Sequence, residues 1–480
     1  MADARPVPLI VDCDRTLTRA DMAIEACVRF GKQHWTHWFI LMWWMLTGRA
    51  AMKTQLARAC PVDAGRLPVN ACVTAIIDEA RRDGRPVILA SAGHRRNLSR
   101  VARTLGPFDA VIGSSRSGNA KGRAKLDAIR AIIGDAPFDY VGDSKADRIL
   151  WRAARTAYTV GVTTGATDER RLEQPKPVWR ALIKAMRPHQ WAKNALVFVP
   201  LLTAGLIGDG EAVMRAALAF VLLSLLASSV YLVNDTLDIE ADRAHRTKHK
   251  RPIASGALPI PVALAAAALF VAVALGGALI GLGLPGTLAL GGYFVLTVAY
   301  SFYIKSTVIA DVVALAMLYT VRLVIGAAAI GVPVSGWLLL FSMFFFLSLA
   351  YLKRYIELRQ ATGPDHRLLG GRGYAPSDVD IVAISGVSSG MVSLLVVALF
   401  AEAMAKDGSY ASGGLLWLLV LPLLYWLNRV WMMARRGEVD GDPVAFAIRD
   451  RKSILLGVII LAIVAAAKFV PAGWWSGLGS

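Results

Sequence analysis

The chain has 480 residues, 55% of them hydrophobic, and a formal charge of +18. Such a length points to two or three domains. The basic residues stand at the mouths of long apolar runs, which argues against a nucleic-acid partner and for a membrane and phosphate groups. All four cysteines (Cys13, Cys27, Cys60 and Cys72) lie in the first, polar part of the chain without metal-ligand spacing. That part is expected in a reducing compartment, so no disulfide is expected. The first residues lack a charged start followed by an apolar core, so no cleavable signal peptide is expected.

Up to about residue 190 the chain reads as a soluble, mixed domain. "PVPLIVDCDRTLT" (6–18) is an apolar strand ending in two acids. It is followed by "RPVILASAGH" (85–94), "GNAKGRAKLDAI" (118–129) and "FDYVGDSKADRILW" (138–151). Three of these four are apolar runs that turn polar at the end, with helical segments between them. That pattern predicts an open parallel sheet with ligands at the carboxyl ends of its strands.

In that order, the four motifs resemble the haloacid-dehalogenase-like phosphatase family over about residues 6–161. The resemblance implies an α/β Rossmann-like domain with a small helical cap, inserted at about 18–75. It implies Asp12 as nucleophile and Asp14 as the acid and base. Ser91 and Lys121 would bind the transferring phosphate. Asp12, Asp14 and Asp143 would bind Mg2+, with Asp147 in support. A carboxylate attacking a phosphate dianion needs such a metal and cation to cancel repulsion. Arg15 departs from the pattern: the family usually has glycine there, and a long side chain so close to the phosphate would either obstruct the substrate or bind it.

The expected cap includes "HWTHWFILMWWMLTG" (34–48), too short to span a bilayer and rich in Trp. Trp favours the membrane interface, so the run is expected either to lean on the bilayer or to pack a helical cap. A polar linker ending in Pro-x-Pro follows, then "VWRALIKAMRPHQWAKN" (178–194), which reads as an amphipathic surface helix. The expected domains are 1–161, a connector at 162–190, and a membrane domain at 191–480.

Nine spans are expected near 195–208, 212–233, 261–283, 285–303, 308–330, 335–352, 381–402, 413–433 and 453–471, the first being short. Loops after the second, fourth, sixth and eighth hold the basic residues, among them Arg243, Lys305, Arg359, Arg367, Arg372 and Arg435. The alternate loops hold little beyond Arg215 and Lys406. The positive-inside rule then puts the N-terminal domain in the cytoplasm, the C-terminus outside and the chain in the inner membrane.

"YLVNDTLDIEADRAHRTKHKRPIASG" (231–256) carries the sharpest signal. Asn234, Asp235, Asp238 and Asp242 share a helical face at the end of a span. Converging carboxylates repel unless a cation lies between them, and oxygen-only ligands favour Mg2+ together with substrate phosphates. Arg243, His245, Lys248 and Arg251 follow, suited to finishing the neutralisation of a metal-bound diphosphate. Further clusters are Lys305, Asp311 and Arg322, then Lys353, Arg354 and Glu357. Arg322 lies within an apolar run, where an ionisable group suggests function. Lys193 and Asn194 are also candidates. Lys305, Lys353 and Arg354 would serve either substrate binding or membrane topology.

Residues 178–470 resemble the UbiA superfamily of intramembrane prenyltransferases, through "NDxxDxxxD", the following "H-x-x-K-x-x-RP" and the nine spans. Aromatic prenyltransferases of that superfamily carry a second aspartate-rich motif, where this chain has only Asp311. "RPHQWAKNALVFVPLL" (187–202), "YLKRYIEL" (351–358) and "GDPVAFAIRDRKS" (441–453) instead resemble the decaprenyl-phosphate phosphoribosyltransferase branch. The resemblance implies Mg2+, phosphoribosyl pyrophosphate as donor and a polyprenyl phosphate as acceptor, with the N-terminal domain expected to remove the product's 5-phosphate. The alternative is prenyl transfer from a prenyl diphosphate to an aromatic or lipid acceptor, beside a regulatory or vestigial phosphatase domain. A transporter or non-catalytic scaffold is the third reading, with little in the sequence to favour it.

Overall fold

The computed structural model describes residues 6–115, 118–164, 168–173, 177–360, 373–407, 410–439 and 441–470. Arg367 and Arg372, and parts of the linker, lie outside the described residues. The chain folds as two compact units, and these do not follow chain order. One comprises residues 1–187 with 231–269, the other 188–230 with 270–480. The segment carrying the acid motif therefore belongs with the N-terminal domain.

The N-terminal domain runs β1 (Leu9–Val11), α1 (Met22–Gln33), α2 (His37–Leu46), α3 (Arg49–Ala59), α4 (Ala71–Arg82), β2 (Val87–His94), α5 (Arg95–Leu105), β3 (Ala110–Ser114), α6 (Arg123–Ile133), β4 (Asp139–Gly142), α7 (Arg148–Ala153), β5 (Ala157–Val160), β6 (Glu169–Glu173) and α8 (Val178–Met186). The six strands form one sheet in the order 3-2-1-4-5-6, and every pairing is parallel. A parallel sheet is covered on both faces, which is why β1 is the uninterrupted apolar run Leu-Ile-Val, wholly buried. One core gathers Leu9, Val11, Val73, Ile77, Leu89 and Leu98 on one side. The other gathers Ile10, Ile88, Ile129, Phe138, Leu150 and Trp151. Strand order reverses between β1 and β4, and ligands of such sheets bind beyond the strand ends at that switch point. Asp12 follows β1 there, and Asp143 follows β4.

The helical part continues with α9 (Val199–Thr203), α10 (Gly210–Leu237), α11 (Ile239–Ala244), α12 (Ile260–Gly281), α13 (Gly283–Phe302), α14 (Ala310–Ile330), α15 (Gly336–Gln360), α16 (Val379–Asp407), α17 (Val420–Arg435), α18 (Pro443–Arg449) and α19 (Arg451–Phe469). Among the described residues eight helical segments are long and apolar enough to cross a membrane: α10, α12 to α16, α17 together with the 3-10 stretch before it (Gly413–Arg435), and α19. The first expected span, 195–208, is instead a 3-10 helix over Pro188–Phe198 followed by the five-residue α9. Pro188, Pro200, Gly205 and Gly208 punctuate that stretch, and its apolar side chains pack within the helical unit. Gly326 of α14 explains the fit: a Cβ there would lie 2.1 Å from the Val197 carbonyl oxygen. Only glycine lets α14 approach this backbone so closely.

Candidate functional site

The acids of the N-terminal domain meet at the switch point. Asp12, Asp143 and Asp147 each present an oxygen within 4.8 Å of the others, and all three are buried. Among the described residues this is the one group of three potential metal ligands so close together. Its oxygen-only donors suit Mg2+. Lys125 is 2% exposed and donates to Asp12 at 3.0 Å, Asp147 at 3.3 Å and the Tyr140 hydroxyl at 2.9 Å. Gly142 makes room for Asp147, since a Cβ there would be 3.1 Å from its carboxylate.

Lys121, the expected phosphate ligand, is exposed in the turn before α6. The helix starts after Gly122, and its buried face carries Lys125 inward. The motif "AKGRAK" held two lysines four residues apart, and the inward one is the second. Asp14 also differs from its expected metal role. Its oxygens accept from the Met22 N–H at 3.0 Å and the Ser91 hydroxyl at 3.2 Å, and it is not part of the group of three. Ser91 also accepts from the Gly93 N–H at 3.2 Å, so it is a buried partner of Asp14.

Burial pushes Asp12 up to about 6, Lys125 pulling against it and Asp147 and Asp143 adding to it. Burial pushes Asp14 up to about 7, with Asp21 and Asp12 adding to it. Burial opposes the charge on Lys125, yet Asp12 and Asp147 hold its pKa above the ordinary value. Arg15 answers the question its position raised. It has φ 60°, in the left-handed region that favours glycine. Its guanidinium donates twice to Asp143 Oδ2, at 2.9 and 2.7 Å.

The acid motif at the end of α10 is arranged differently. Asp235 and Asp242 converge on one nitrogen, Arg251 Nη1, at 3.1 and 2.6 Å. Asp235 also accepts from Arg187 at 2.5 Å. Burial pushes Asp242 above the usual carboxylate range, against the pull of Arg251. Asp238 takes Lys32 of α1 at 2.7 Å. Arg243 grips Glu25 of α1 through both terminal nitrogens, at 2.8 and 2.6 Å, and Arg29 reaches Glu240 at 2.5 Å. The structure thus brings Asp235, Asp242 and Arg251 together. It turns Asp238 and Arg243 toward α1 and leaves His245 and Lys248 exposed. Asn234 is half-buried beside Asp235 on α10. The donor set fits Mg2+ in chemistry, the convergent carboxylates of Asp235 and Asp242 being the part already gathered.

Within the helical unit, buried polar groups form a cationic centre. Arg322, 7% exposed, donates to Asn194 Oδ1 at 3.1 Å, to the Leu318 carbonyl and to the Tyr293 hydroxyl at 3.3 Å. The Tyr319 ring lies 5.1 Å from the Arg322 guanidinium and 5.9 Å from Lys193 Nζ. Lys193 donates to Asp442, and Lys353 stands 3.8 Å from the same carboxylate. Burial opposes ionisation of Asp442, but Lys193 and Lys353 hold it below the usual carboxylate range. Arg354 and Asp311 are fully buried and pair at 2.6 Å, and Tyr374 donates to the other Asp311 oxygen at 2.6 Å. Lys305 is half-buried in the turn after α13, outside both networks as described.

Asp442 escaped the sequence reading. Its Asp-Pro context signals a helix N-cap, and it does cap α18, accepting from the Val444 and Ala445 N–H groups through Oδ1. The second oxygen is what serves the lysines, and only the lysines' convergence reveals it.

Residues 196–449 match the UbiA prenyltransferase family. The Sinorhizobium fredii protein y4nM is 34% identical over 483 residues, covering 98% of this chain and 91% of the relative. Nodulation protein NoeC of Azorhizobium caulinodans is 33% identical over 294 residues, 60% of this chain and 92% of the relative. Decaprenyl-phosphate phosphoribosyltransferase of Mycobacterium tuberculosis is 33% identical over 305 residues, 62% of this chain and 96% of the relative. With the family match extending over more than half its length, this multi-pass helical membrane protein belongs to the UbiA prenyltransferase family.

Proposed function

We propose that the chain transfers 5-phosphoribose from phosphoribosyl pyrophosphate to a polyprenyl phosphate, releasing pyrophosphate, and that its N-terminal domain then removes the product's 5-phosphate. The observation that carries the reading is the charge of the helical unit's polar centre. Asp311 is committed to Arg354 and Tyr374, whereas Lys193, Lys353 and Arg322 gather around Tyr319 and Asp442. Three cations suit an anionic acceptor phosphate better than a neutral aromatic ring. The similarity to phosphoribosyltransferases over nearly their whole length supports the same branch.

Asp235 and Asp242, with Asn234 and Asp238, would hold Mg2+, which neutralises charge on a departing pyrophosphate. Arg251 and Arg187 already lie against these carboxylates and would add cationic contacts to the donor. The acceptor phosphate would replace Asp442 as the anion of Lys193 and Lys353. An ionised phosphate oxygen is itself the nucleophile, so no protein base is required. Its lipid tail has a suitable cavity in the helical unit, about 760 Å3, lined by Leu196, Leu323, Phe341, Phe345, Val397 and Leu419.

In the N-terminal domain Asp12 would attack the phosphomonoester to form an aspartyl phosphate, and Asp14, protonated to about pH 7, would supply the leaving group's proton. The deprotonated Asp14 would then take a proton from the water that hydrolyses the aspartyl phosphate to free phosphate and Asp12. Asp12, Asp143 and Asp147 would hold Mg2+, and Lys125 would balance the transferring phosphate's charge. The proposed topology has this domain and the acid motif on the cytoplasmic side, following the basic loops.

The test is one incubation of the purified protein with Mg2+, phosphoribosyl pyrophosphate and polyprenyl phosphate, read by mass spectrometry. The expected product is polyprenyl phosphoribose lacking the 5-phosphate. An adduct that keeps its 5-phosphate removes the phosphatase step. No adduct from this donor, with label retained from a prenyl diphosphate in a parallel incubation, replaces the reading with prenyl transfer.

A further inference from the structure

We propose that α2 is an interfacial anchor, lying in the headgroup layer of the bilayer that the chain itself crosses. Its sequence, HWFILMWWML, has no acid, Lys or Arg. Phe39, Trp43, Met45 and Leu46 are 60%, 66%, 58% and 78% exposed, and Trp35 just before the helix is 67% exposed. Only Leu41 is buried, while Phe30 of α1 stacks on His37 at 4.1 Å and on Trp44 at 4.9 Å. The cap therefore fixes one side of the helix and presents the rest outward. An uncharged, Trp-rich face of this kind marks an interaction surface.

The occupant follows from where α2 is tethered. Lys32, at the end of α1, donates to the carbonyl of Leu237 at 2.8 Å and to Asp238 at 2.7 Å. Leu237 is the last residue of α10, one of the eight membrane-length helices. The Arg243–Glu25 and Arg29–Glu240 pairs fasten the same α1 to the segment after that helix. His37 comes five residues after Lys32, so the start of α2 lies within about 17 Å of chain from that anchor. A ten-residue helix is about 15 Å long, too short for a hydrocarbon core of about 30 Å, so it lies along the surface. A second feature points the same way. On α8, Val178, Trp179 and Ile183 are exposed, and Arg187, the residue after α8, donates to Asp235 near the end of α10. Two exposed Trp-bearing helices are thus tied to the end of one span, and Trp is the residue that favours the interface.

Because α2 carries no charge, its insertion draws on apolar burial and Trp, so neither salt nor anionic lipid is required. The test is made on the full-length protein in phosphatidylcholine nanodiscs, with Cys72→Ser removing the exposed native thiol. A nitroxide is placed at Trp43→Cys and, for comparison, at Asp127→Cys on the exposed side of α6. The expected result is a several-fold higher ratio of oxygen to aqueous nickel-chelate accessibility at 43 than at 127, unchanged at high salt. A ratio at 43 equal to that at 127 overturns the proposal. So does spin–spin broadening between labels at 43, which would make a second copy the occupant, and so does a ratio that rises only when anionic lipid is added. Phe39→Cys supplies the same reading where labelling at 43 disturbs the helix.

Discussion

The chain holds two groups of aspartates, and they solve carboxylate repulsion in opposite ways. Asp12 and Asp143 follow strand ends at a sheet's switch point, Asp147 closes the 3-10 turn just beyond, and the three lie within 4.8 Å. One buried lysine and Arg15 then share the charge. Asp235, Asp238 and Asp242 stand around the junction of α10 and α11, where Arg251 gathers the first and third, Arg187 adds to the first, and Lys32 of α1 turns the second away. A sheet imposes convergence before any ligand arrives. A helix end supplies carboxylates whose direction depends on the cations around them.

Substitutions that silence one group and spare the other would sharpen this contrast most. Asp12→Asn removes the proposed nucleophile and is expected to lower 5-phosphate release by about 10^4-fold or more, with adduct formation unchanged. Asp235→Asn and Asp242→Asn are expected to lower adduct formation by about 10^2- to 10^3-fold, with phosphatase turnover on a soluble monoester intact. Separate mass-spectrometric assays of the two steps check both, and joint loss in either variant breaks the idea of two independent sites. Next in size, Arg15→Gly frees Asp143 and relieves a left-handed backbone. Mg2+ is then expected to bind the N-terminal domain about tenfold more tightly, the scale of a charge-assisted pair, as read by calorimetry.

Two members of the first group, Asp12 and Asp143, were legible because each follows an apolar strand; Asp14 was expected with them, and Asp147, expected only in support, is the third acid that the structure gathers there. The sequence reading names Lys121, whereas Lys125 is the lysine that points inward, since that depends on where α6 begins. The eight long helices were legible from hydropathy, whereas 195–208 misled because apolar content says nothing of the two prolines' effect on length. Least visible was the tie between α1 and the acid motif. Arg29, Lys32 and Glu25 lie about 200 residues from Glu240, Asp238 and Arg243, and nothing in their spacing marks them as partners. Asp442 was hidden by its other role as a helix cap.

A smaller effect follows from protonation. Asp12 and Asp14 have folded pKa values of about 6 and about 7, above the ordinary 3.8. A carboxyl raised on folding contributes stability that is full below its unfolded pKa and is lost as pH rises through the folded value. Without metal, the N-terminal domain is therefore expected to lose about 2 kcal/mol between pH 4 and pH 8 from Asp12 alone. Hydrogen exchange of β1 and β4 amides in the full-length protein reads this loss. Added Mg2+ is expected to flatten it, because an ion among the carboxylates favours their charged form. A slope that Mg2+ leaves unchanged removes the metal from this group.

The smallest expected effect is the most discriminating for the second group. Lys32 and Asp238 are both partly exposed, 47% and 37% at the side chain, so their pair is worth about 0.5 kcal/mol. Lys32→Ala is then expected to change the Mg2+ concentration that half-saturates adduct formation by only about twofold, downward, because it releases Asp238 for the ion. Asp238→Asn should act in the opposite direction and by more, since it removes a ligand and not a competitor. If Lys32→Ala instead raises the Mg2+ requirement, the lysine is positioning Asp238 for the ion, and α1 is then part of the proposed transferase site and not its rival.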